Sequence, residues 1–215
     1  MKHTATRLAA SAIAVTALGL TLAACSSSSS GTKDTGQPLA DIPALSGQST
    51  AVKLDTGFTS ALSTLKLTPG VIGTAKLTDG SLVFPITGGN VKYYTPGGKV
   101  EPFVQGSIKH EGSGFSLTGG ATTVSLTNFT VDPGKSELYG DVAANGKTVA
   151  TQTTLFDLDG STLQALQTSG DTAILQGTTV HISAGAATLL DSTFKTDAVK
   201  GGLLIGVATI TVNTK

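Results

Sequence analysis

Tight-turn signals recur through most of this chain and divide it into short segments. Turn-forming residues cluster at 78–80, 87–89, 96–98, 132–134 and 145–146, where Gly, Pro, Asp or Asn tolerate the backbone angles that tight turns require. Between these clusters lie runs rich in Val, Ile, Thr, Tyr and Phe. Such runs predict strands, and the short distance between them predicts antiparallel hairpins.

The segments predicted to be strands either alternate polar and apolar residues or carry β-branched residues. They are 75–77, 81–86, 90–94, 106–110, 114–118, 122–131, 135–143, 148–157 and 202–212. The hairpin around Asn145-Gly146 is the strongest of the hairpin predictions, because Asn-Gly favours a two-residue turn. The mostly apolar 202–212 segment predicts an interior strand.

Two other segments, 128 residues apart, change from the strand period to the helix period. In the first, Phe58, Leu62 and Leu65 share one helical face, and in the second the corresponding residues are Ala187, Leu190 and Phe194. We therefore expect short amphipathic helices over 60–65 and 187–194 that cover the ends of a β core.

The expected fold class is mainly β, an antiparallel β-sandwich or barrel-like domain with two short helices. The chain has only 13% charged residues and is poor in the Glu, Arg and Lys that favour helical bundles. Its formal net charge is zero, and Arg7 is its single arginine. Because nucleic-acid binding depends on many Lys and Arg contacts to phosphate, nucleic acid is not an expected partner.

The first 25 residues have the pattern of an export signal. Lys2 and Arg7 precede an apolar stretch over 8–20, and the segment ends Leu-Ala-Ala-Cys at Cys25. This ending resembles the bacterial lipobox, in which the Cys receives a diacylglycerol after cleavage. We expect a lipoprotein held by Cys25 at the extracytoplasmic face of the cell membrane, most simply that of a Gram-positive bacterium.

This organisation predicts three parts of the chain. Residues 1–24 are the signal peptide, and 25–49 are the lipidated Cys and a Ser/Gly/Pro-rich flexible tether whose 37–48 portion is irregular. Residues 50–215 are the β-rich domain.

Few residues of the predicted domain are suited to catalysis or metal binding. His110 and His181 have no other His or Cys near them in sequence, and Gly-x-Ser-x-Gly is absent. We predict that the protein is not an enzyme, and the sequence leaves any metal site unknown. His181 alternates with Val180 and Ile182, which places it away from the core, whereas the Glu-Gly-Ser-Gly that follows His110 predicts a turn that exposes its ring.

Two further features bear on binding. Tyr93 and Tyr94 are neighbours on a predicted strand, so one should face the core and the other solvent. The 157–161 segment, Asp-Leu-Asp-Gly-Ser, has the start of a calcium loop without its remaining acids. We interpret Asp159 instead as the cap of a short helical turn over 161–166.

Several motifs occur in an order that resembles the HtaA haem-uptake domain family of actinobacterial cell envelopes. They are Phe58 in the first helix, Leu82-Val83-Phe84-Pro85, the Gly106 to Gly112 segment with His110, Leu126-Thr127-Asn128-Phe129, and Ser183-Ala184-Gly185 followed by Phe194. The resemblance covers most of residues 52–212. It implies a β-rich domain in which haem-binding members use a Tyr of the first helix as axial ligand, supported by a His on the turn. His110 falls on that His, and the Tyr position falls near Ala61.

Two classes of function follow. The favoured one is a non-catalytic structural or adhesive envelope module, because the 58–67 helix contains no Tyr. The alternative is a lipoprotein that binds haem or another flat apolar ligand, with His110, Tyr93 and Tyr94 as candidate ligand-binding residues. A lipid carrier is also possible, and a large apolar pocket would indicate it. The residues themselves establish no cofactor, haem is the one that the resemblance implies, and the protein partners are unknown.

Overall fold

The computed structural model describes residues 35–215. The predicted signal peptide, Cys25 and the first part of the predicted tether lie outside the described residues. The described part contains two helices, α1 (Thr56–Thr64) and α2 (Ala184–Phe194). Its strands, numbered in chain order, are β1 (Ala40–Ile42), β2 (Ser49–Leu54), β3 (Thr68–Gly73), β4 (Lys76–Thr78), β5 (Ser81–Pro85), β6 (Gly88–Tyr93), β7 (Val104–Gly119), β8 (Thr122–Asp132), β9 (Glu137–Ala144), β10 (Lys147–Asp159), β11 (Gln167–Ser169), β12 (Thr172–Ile182) and β13 (Leu204–Asn213).

These strands form one curled antiparallel sheet with the shape of a half-barrel, which confirms the predicted mainly β class. The sheet runs in the order β1-β6-β7-β8-β9-β10-β12-β13-β2-β5-β4, with β11 paired to β12 and β3 paired to β7. The predicted Asn-Gly hairpin joins β9 to β10, with Ala144 opposite Lys147. Most neighbours in the sheet are also neighbours in sequence, as short turns between antiparallel strands require.

Both predicted helices are present, and each follows a strand that pairs with β13. The Asp55 side chain caps α1 by accepting the backbone N–H of Gly57 at 2.7 Å. The Ser183 hydroxyl caps α2 by accepting the N–H of Ala186 at 3.1 Å. Because β2 and β12 flank β13 on either side, the two helices cover the same end of the sheet.

Two clusters of buried apolar side chains fill the concave side. The helix-side core contains Phe58 and Leu62 of α1 and Leu190 of α2, packed on residues such as Phe115 and Leu155. The second core is smaller and consists of Leu45, Ile86, Ile108, Val131, Ala173 and Val212. Helices therefore cover one end of the half-barrel, and the other end depends on strands and loops.

A row of β-bulges crosses the sheet between the two ends. Gly112, Asn128 and Gln152 adopt positive φ angles of 71°, 54° and 42° at register shifts in β7, β8 and β10. Asn128 Oδ1 accepts the N–H of Gly112 at 3.0 Å, and Asn128 Nδ2 donates to Asp141 Oδ2 at 2.8 Å. Asp141 Oδ1 accepts the N–H of Gln152 at 2.9 Å. Since bulges bend and twist strands, this hydrogen-bonded row contributes to the curl of the sheet.

Several segments of the structure differ from the predicted elements. The turn expected after His110 is a bulge inside one continuous strand, β7, because His110 and Gly114, on either side of 111–113, both pair with β8. Residues 40–42, expected to be irregular chain, pair with β6, and Leu45 is buried in the second core. The 68–73 segment contains Pro69 and Gly70 and was not predicted as a strand, yet it forms β3.

Within residues 35–215, neither helix has the length and apolar character needed to cross a bilayer.

Candidate functional site

A cavity of about 750 Å³ opens at the end of the half-barrel opposite the helices. Its walls include residues of β1, β6, β7, β8, β10, β11, β12 and β13, together with two loops over 101–103 and 160–166. The apolar residues that line it are Ile42, Val91, Tyr93, Phe103, Val104, Ile108, Val131, Leu158, Leu163, Leu166, Ala173, Leu175, Ile210 and Val212. The second core forms its floor, since Ile108, Val131, Ala173 and Val212 belong to both.

The size and surface of this cavity are those of a small-molecule site. Ligand pockets usually hold about 300–1,000 Å³ and are mainly apolar, with a few polar groups. Among the described residues that line it, Asp41 and Glu101 carry charge, and Lys, Arg and His are absent. The cavity therefore suits an apolar ligand and offers no cation to an anionic one.

The 160–166 loop is fixed against β12. Thr162 donates its hydroxyl to the carbonyl oxygen of Gly177 at 2.6 Å, and the Gln164 N–H donates to the carbonyl oxygen of Gln176 at 2.8 Å. Gly177 has a φ of 113°, and a Cβ there would lie 2.2 Å from the Thr162 carbonyl oxygen. Only glycine permits this approach, so Gly177 holds one wall of the cavity in place.

Asp159 stabilises the start of the same loop. Its Oδ1 accepts the N–H of Ser161 at 2.7 Å, and its Oδ2 accepts the Ser161 hydroxyl at 3.0 Å. These hydrogen bonds from Ser161 hold the pKa of the Asp159 carboxyl below its usual range. The predicted cap by Asp159 is present, but it closes a turn rather than a helical segment over 161–166.

Tyr93 is the candidate residue that the fold brings to the cavity. It is the last residue of β6, is 8% exposed, and packs edge-on against Phe103 with ring centroids 5.7 Å apart. Its hydroxyl has no hydrogen-bond partner among the described residues and remains accessible to solvent. Tyr94 does not line the cavity and is half-buried. Tyr93 is therefore more buried than Tyr94, as expected, but Tyr94 is less exposed than predicted.

His110 lies in the interior, which contradicts the prediction of an accessible ring. It is 2% exposed. Its Nδ1 lies 2.9 Å from the Pro85 carbonyl oxygen and its Nε2 lies 3.2 Å from the Thr50 hydroxyl. A carbonyl can only accept, so Nδ1 carries the proton and Thr50 donates to Nε2. Burial lowers the pKa of His110 and keeps its ring neutral.

The hydrogen bonds of His110 connect strands that are distant in the sheet order. Its ring links β7 to Thr50 of β2 and Pro85 of β5, and it packs against Phe84 with centroids 6.2 Å apart. The half-barrel is therefore tied together across its open side. Both ring nitrogens are engaged, so ligand binding by His110 stays a prediction that would require these bonds to open.

The helix-covered end contains little free space. The cavity beneath α1 and α2 measures about 20 Å³, room for about one water molecule. Phe58 and Leu190 line it together with Phe115 and Phe156 from the sheet. Ala61, where the resemblance places a Tyr, is half-buried on α1. The side chains at this end are closely packed, so a bulky ligand would not fit there unless they moved.

The other histidine among the described residues has a local structural role. His181 lies half-buried on β12 between buried Val180 and Ile182, as predicted. Its Nδ1 is 3.0 Å from the Gly202 carbonyl oxygen, and its Nε2 is 2.9 Å from the Thr179 hydroxyl. Among residues 35–215 no three His, Cys, Asp or Glu side chains converge in a geometry that could hold a metal ion.

Most residues that line the cavity were not predicted from the sequence. They come from strands far apart in sequence, and each appears as an ordinary apolar strand residue. The one local signal is Leu163 and Leu166 in an otherwise polar stretch after Asp159. Apolar side chains in a loop need a surface to cover, and here that surface is the cavity.

Comparison with solved structures agrees with this architecture. The chain is similar to the C-terminal domain of HtaA from Corynebacterium glutamicum, with a TM-score of 0.55 and 17% identity over 79% of this chain and 98% of that domain. It is also similar to the N-terminal domain of the same protein, with a TM-score of 0.52 and 14% identity over 80% of this chain and 98% of that domain. No family model and no curated protein matches the sequence. The chain therefore has an HtaA-like fold, which confirms the resemblance drawn from the order of its motifs.

Proposed function

We propose that this protein is an extracytoplasmic lipoprotein whose β domain binds an apolar small molecule without catalysing a reaction. The observation that carries the proposal is the cavity of about 750 Å³, whose walls are apolar and whose position is fixed by strands and hydrogen-bonded loops. The site is built on rigid elements, as a preorganised binding site requires. The extracytoplasmic location and the lipid at Cys25 rest on the pattern of residues 1–25.

The cavity favours a binding function over that of a structural or adhesive module, which the absence of a Tyr from 58–67 had favoured. Protein interiors are close-packed and rarely keep voids larger than a water molecule. A cavity of this size leaves part of its apolar wall, such as Leu175 and Ile210, without a close-packed protein neighbour. A ligand that covers those walls gains the free energy of apolar burial, about 25 cal/mol for each Å² removed from water.

Haem is the second candidate ligand. It is implied by the family resemblance, and Tyr93 supports it, because a phenolate oxygen can ligate haem iron and this residue lines the cavity. A hemin titration tests this candidate through the Soret band. If haem binds here, the Soret shift is lost in Tyr93→Phe and kept in Tyr94→Phe, which is the matched control.

Uptake of a neutral probe tests the proposed function itself. The full chain, purified in a mild non-ionic detergent, is incubated with 1-hexadecanol, and bound probe is counted by native mass spectrometry. We expect one adduct in the wild type and its loss in Leu166→Glu, which places a charge on the cavity wall.

Leu77→Glu is the control for that experiment, because Leu77 is 50% exposed on β4, away from the cavity. This variant should bind 1-hexadecanol like the wild type. Absence of an adduct from the wild type, or equal uptake by Leu166→Glu, would overturn the proposed function.

A further inference from the structure

We infer that the ligand of the cavity is an uncharged acyl lipid, taken from the membrane to which the protein is anchored. The inference rests on the proposed function and names the class of ligand for the same site. Three features of the cavity support it: the sign of the charges at its mouth, the type of its polar groups, and its connection to the predicted anchor.

The charges at the mouth disfavour an anionic ligand. Asp41 and Glu101 line the cavity and are exposed, so both carboxylates lie where the head of a ligand would meet water. Lys92 Nζ is 3.5 Å from Asp41 Oδ2 and neutralises part of its charge, but Lys92 is not a lining residue. A fatty-acid carboxylate or the propionates of haem would thus meet carboxylates and no cation on the described walls.

The uncharged polar groups fit a neutral head. Ser136, Ser161, Thr168 and Thr214 contribute hydroxyl-bearing residues to the lining, and Tyr93 adds an accessible phenol. Hydroxyl groups both donate and accept hydrogen bonds, so they can pair with the hydroxyl and ester oxygens of a glyceride. They supply no charge to balance a phosphate or a carboxylate.

The wall of the cavity is also the part of the domain nearest in sequence to the membrane anchor. Ala40, Asp41 and Ile42 of β1 line the cavity, and fourteen residues, 26–39, separate Cys25 from this strand. Fourteen extended residues span at most about 50 Å. With Cys25 lipidated, this short linker would tether the domain to the bilayer, which is a reservoir of acyl lipids.

A competition between matched ligands tests this inference. The full chain in mild detergent is incubated with equal concentrations of monoolein, oleate and hemin at pH 8, and the three adducts are distinguished by mass. Monoolein and oleate share an acyl chain and differ in the charge of the head. We expect the monoolein adduct to exceed the oleate and hemin adducts by about fivefold or more, since two exposed carboxylates act together.

The double variant Asp41→Asn/Glu101→Gln identifies the cause of the preference. In this variant the yields of the monoolein and oleate adducts should become more nearly equal. About 1 M salt should have the same effect on the wild type, because salt screens exposed charges. Oleate or hemin adducts equal to those of monoolein, or a preference that the double variant leaves unchanged, would overturn the inference. Binding of 1-hexadecanol would then still stand and would leave the proposed function intact, whereas failure of every probe to bind would overturn both.

Discussion

The buried histidine makes the stability of the domain depend on pH in a defined direction. Burial lowers the pKa of His110 below the value of 6.5 that it has in the unfolded chain. Between these two values the unfolded state binds the proton and the folded state does not. The contribution of the neutral His110 ring to the free energy of unfolding is therefore fully present above about pH 6.5. It is lost as the pH falls through that value towards the lower pKa of the folded state.

The size of this effect has an upper limit. One proton gives a slope of at most about 1.4 kcal/mol per pH unit. If His110 stays neutral in the folded state throughout, the free energy of unfolding falls by about 2 kcal/mol between pH 7 and pH 5. For a urea m-value of about 2 kcal/mol per M, this is a shift of the midpoint by about 1 M.

Urea unfolding at pH 5, 6, 7 and 8 measures the effect. In His110→Gln the decline between pH 7 and pH 5 should be largely absent. Its stability at pH 8 should also be lower, because the hydrogen bonds to Pro85 and Thr50 are lost or weakened. His181→Gln, which removes the half-buried histidine on β12, is the matched control and should keep the decline. An equal decline in wild type and His110→Gln would show that His110 is not the group responsible.

Three further outcomes are expected. Gly177→Ala should weaken 1-hexadecanol uptake in the mass-spectrometry assay, because the new Cβ displaces the 160–166 loop. Gly146→Ala is the control, at a φ of 78° with open space around it, and should bind normally. Equal uptake by the two variants would contradict the role of Gly177 in the cavity wall. Asn128→Ala should lower the free energy of unfolding by about 3 kcal/mol in urea, since it loses two hydrogen bonds and keeps a positive φ; a loss below about 1 kcal/mol would contradict this. Cys25→Ser should appear in the medium or stay uncleaved on cell fractionation, and wild-type membrane association of this variant would contradict lipidation.

Elements with a local signal could be predicted from the sequence. Strands such as β8 and β9 are bounded by turn residues, and Asn145-Gly146 marks the hairpin between β9 and β10. The two helices follow from apolar spacing, with Asp55 and Ser183 as caps. In each case the residues that determine the structure are close together in the chain.

The environment of His110 could not be predicted in the same way. Glycine and serine at 112–114 favour a turn, yet pairing with β8 and β3 continues the strand beyond them. The bulge depends on Asn128, sixteen residues away, and burial of the ring depends on Thr50 and Pro85. Long-range pairing overrode the local preference, and the ring became a core group.

The cavity was unpredictable for a related reason. Its walls combine β1, which is only three residues long, with strands from the other end of the chain. Tyr93 was identified as a candidate by residue type alone, and the fold placed it on the cavity while it buried His110 elsewhere. A pocket is the space that several segments, distant in sequence, leave unfilled. The periodicity of residues within one segment carries no information about that space.

Photoaffinity mapping tests directly whether the cavity is a ligand site. The full chain is irradiated with a diazirine-labelled monoacylglycerol and then digested, and the labelled residues are located by mass spectrometry. A ligand site in the cavity predicts labels on the 160–166 loop, on β12 near Ala173 and on β1, and their loss under excess monoolein. Labels confined to α1 and α2, or labels that excess monoolein does not displace, would contradict it.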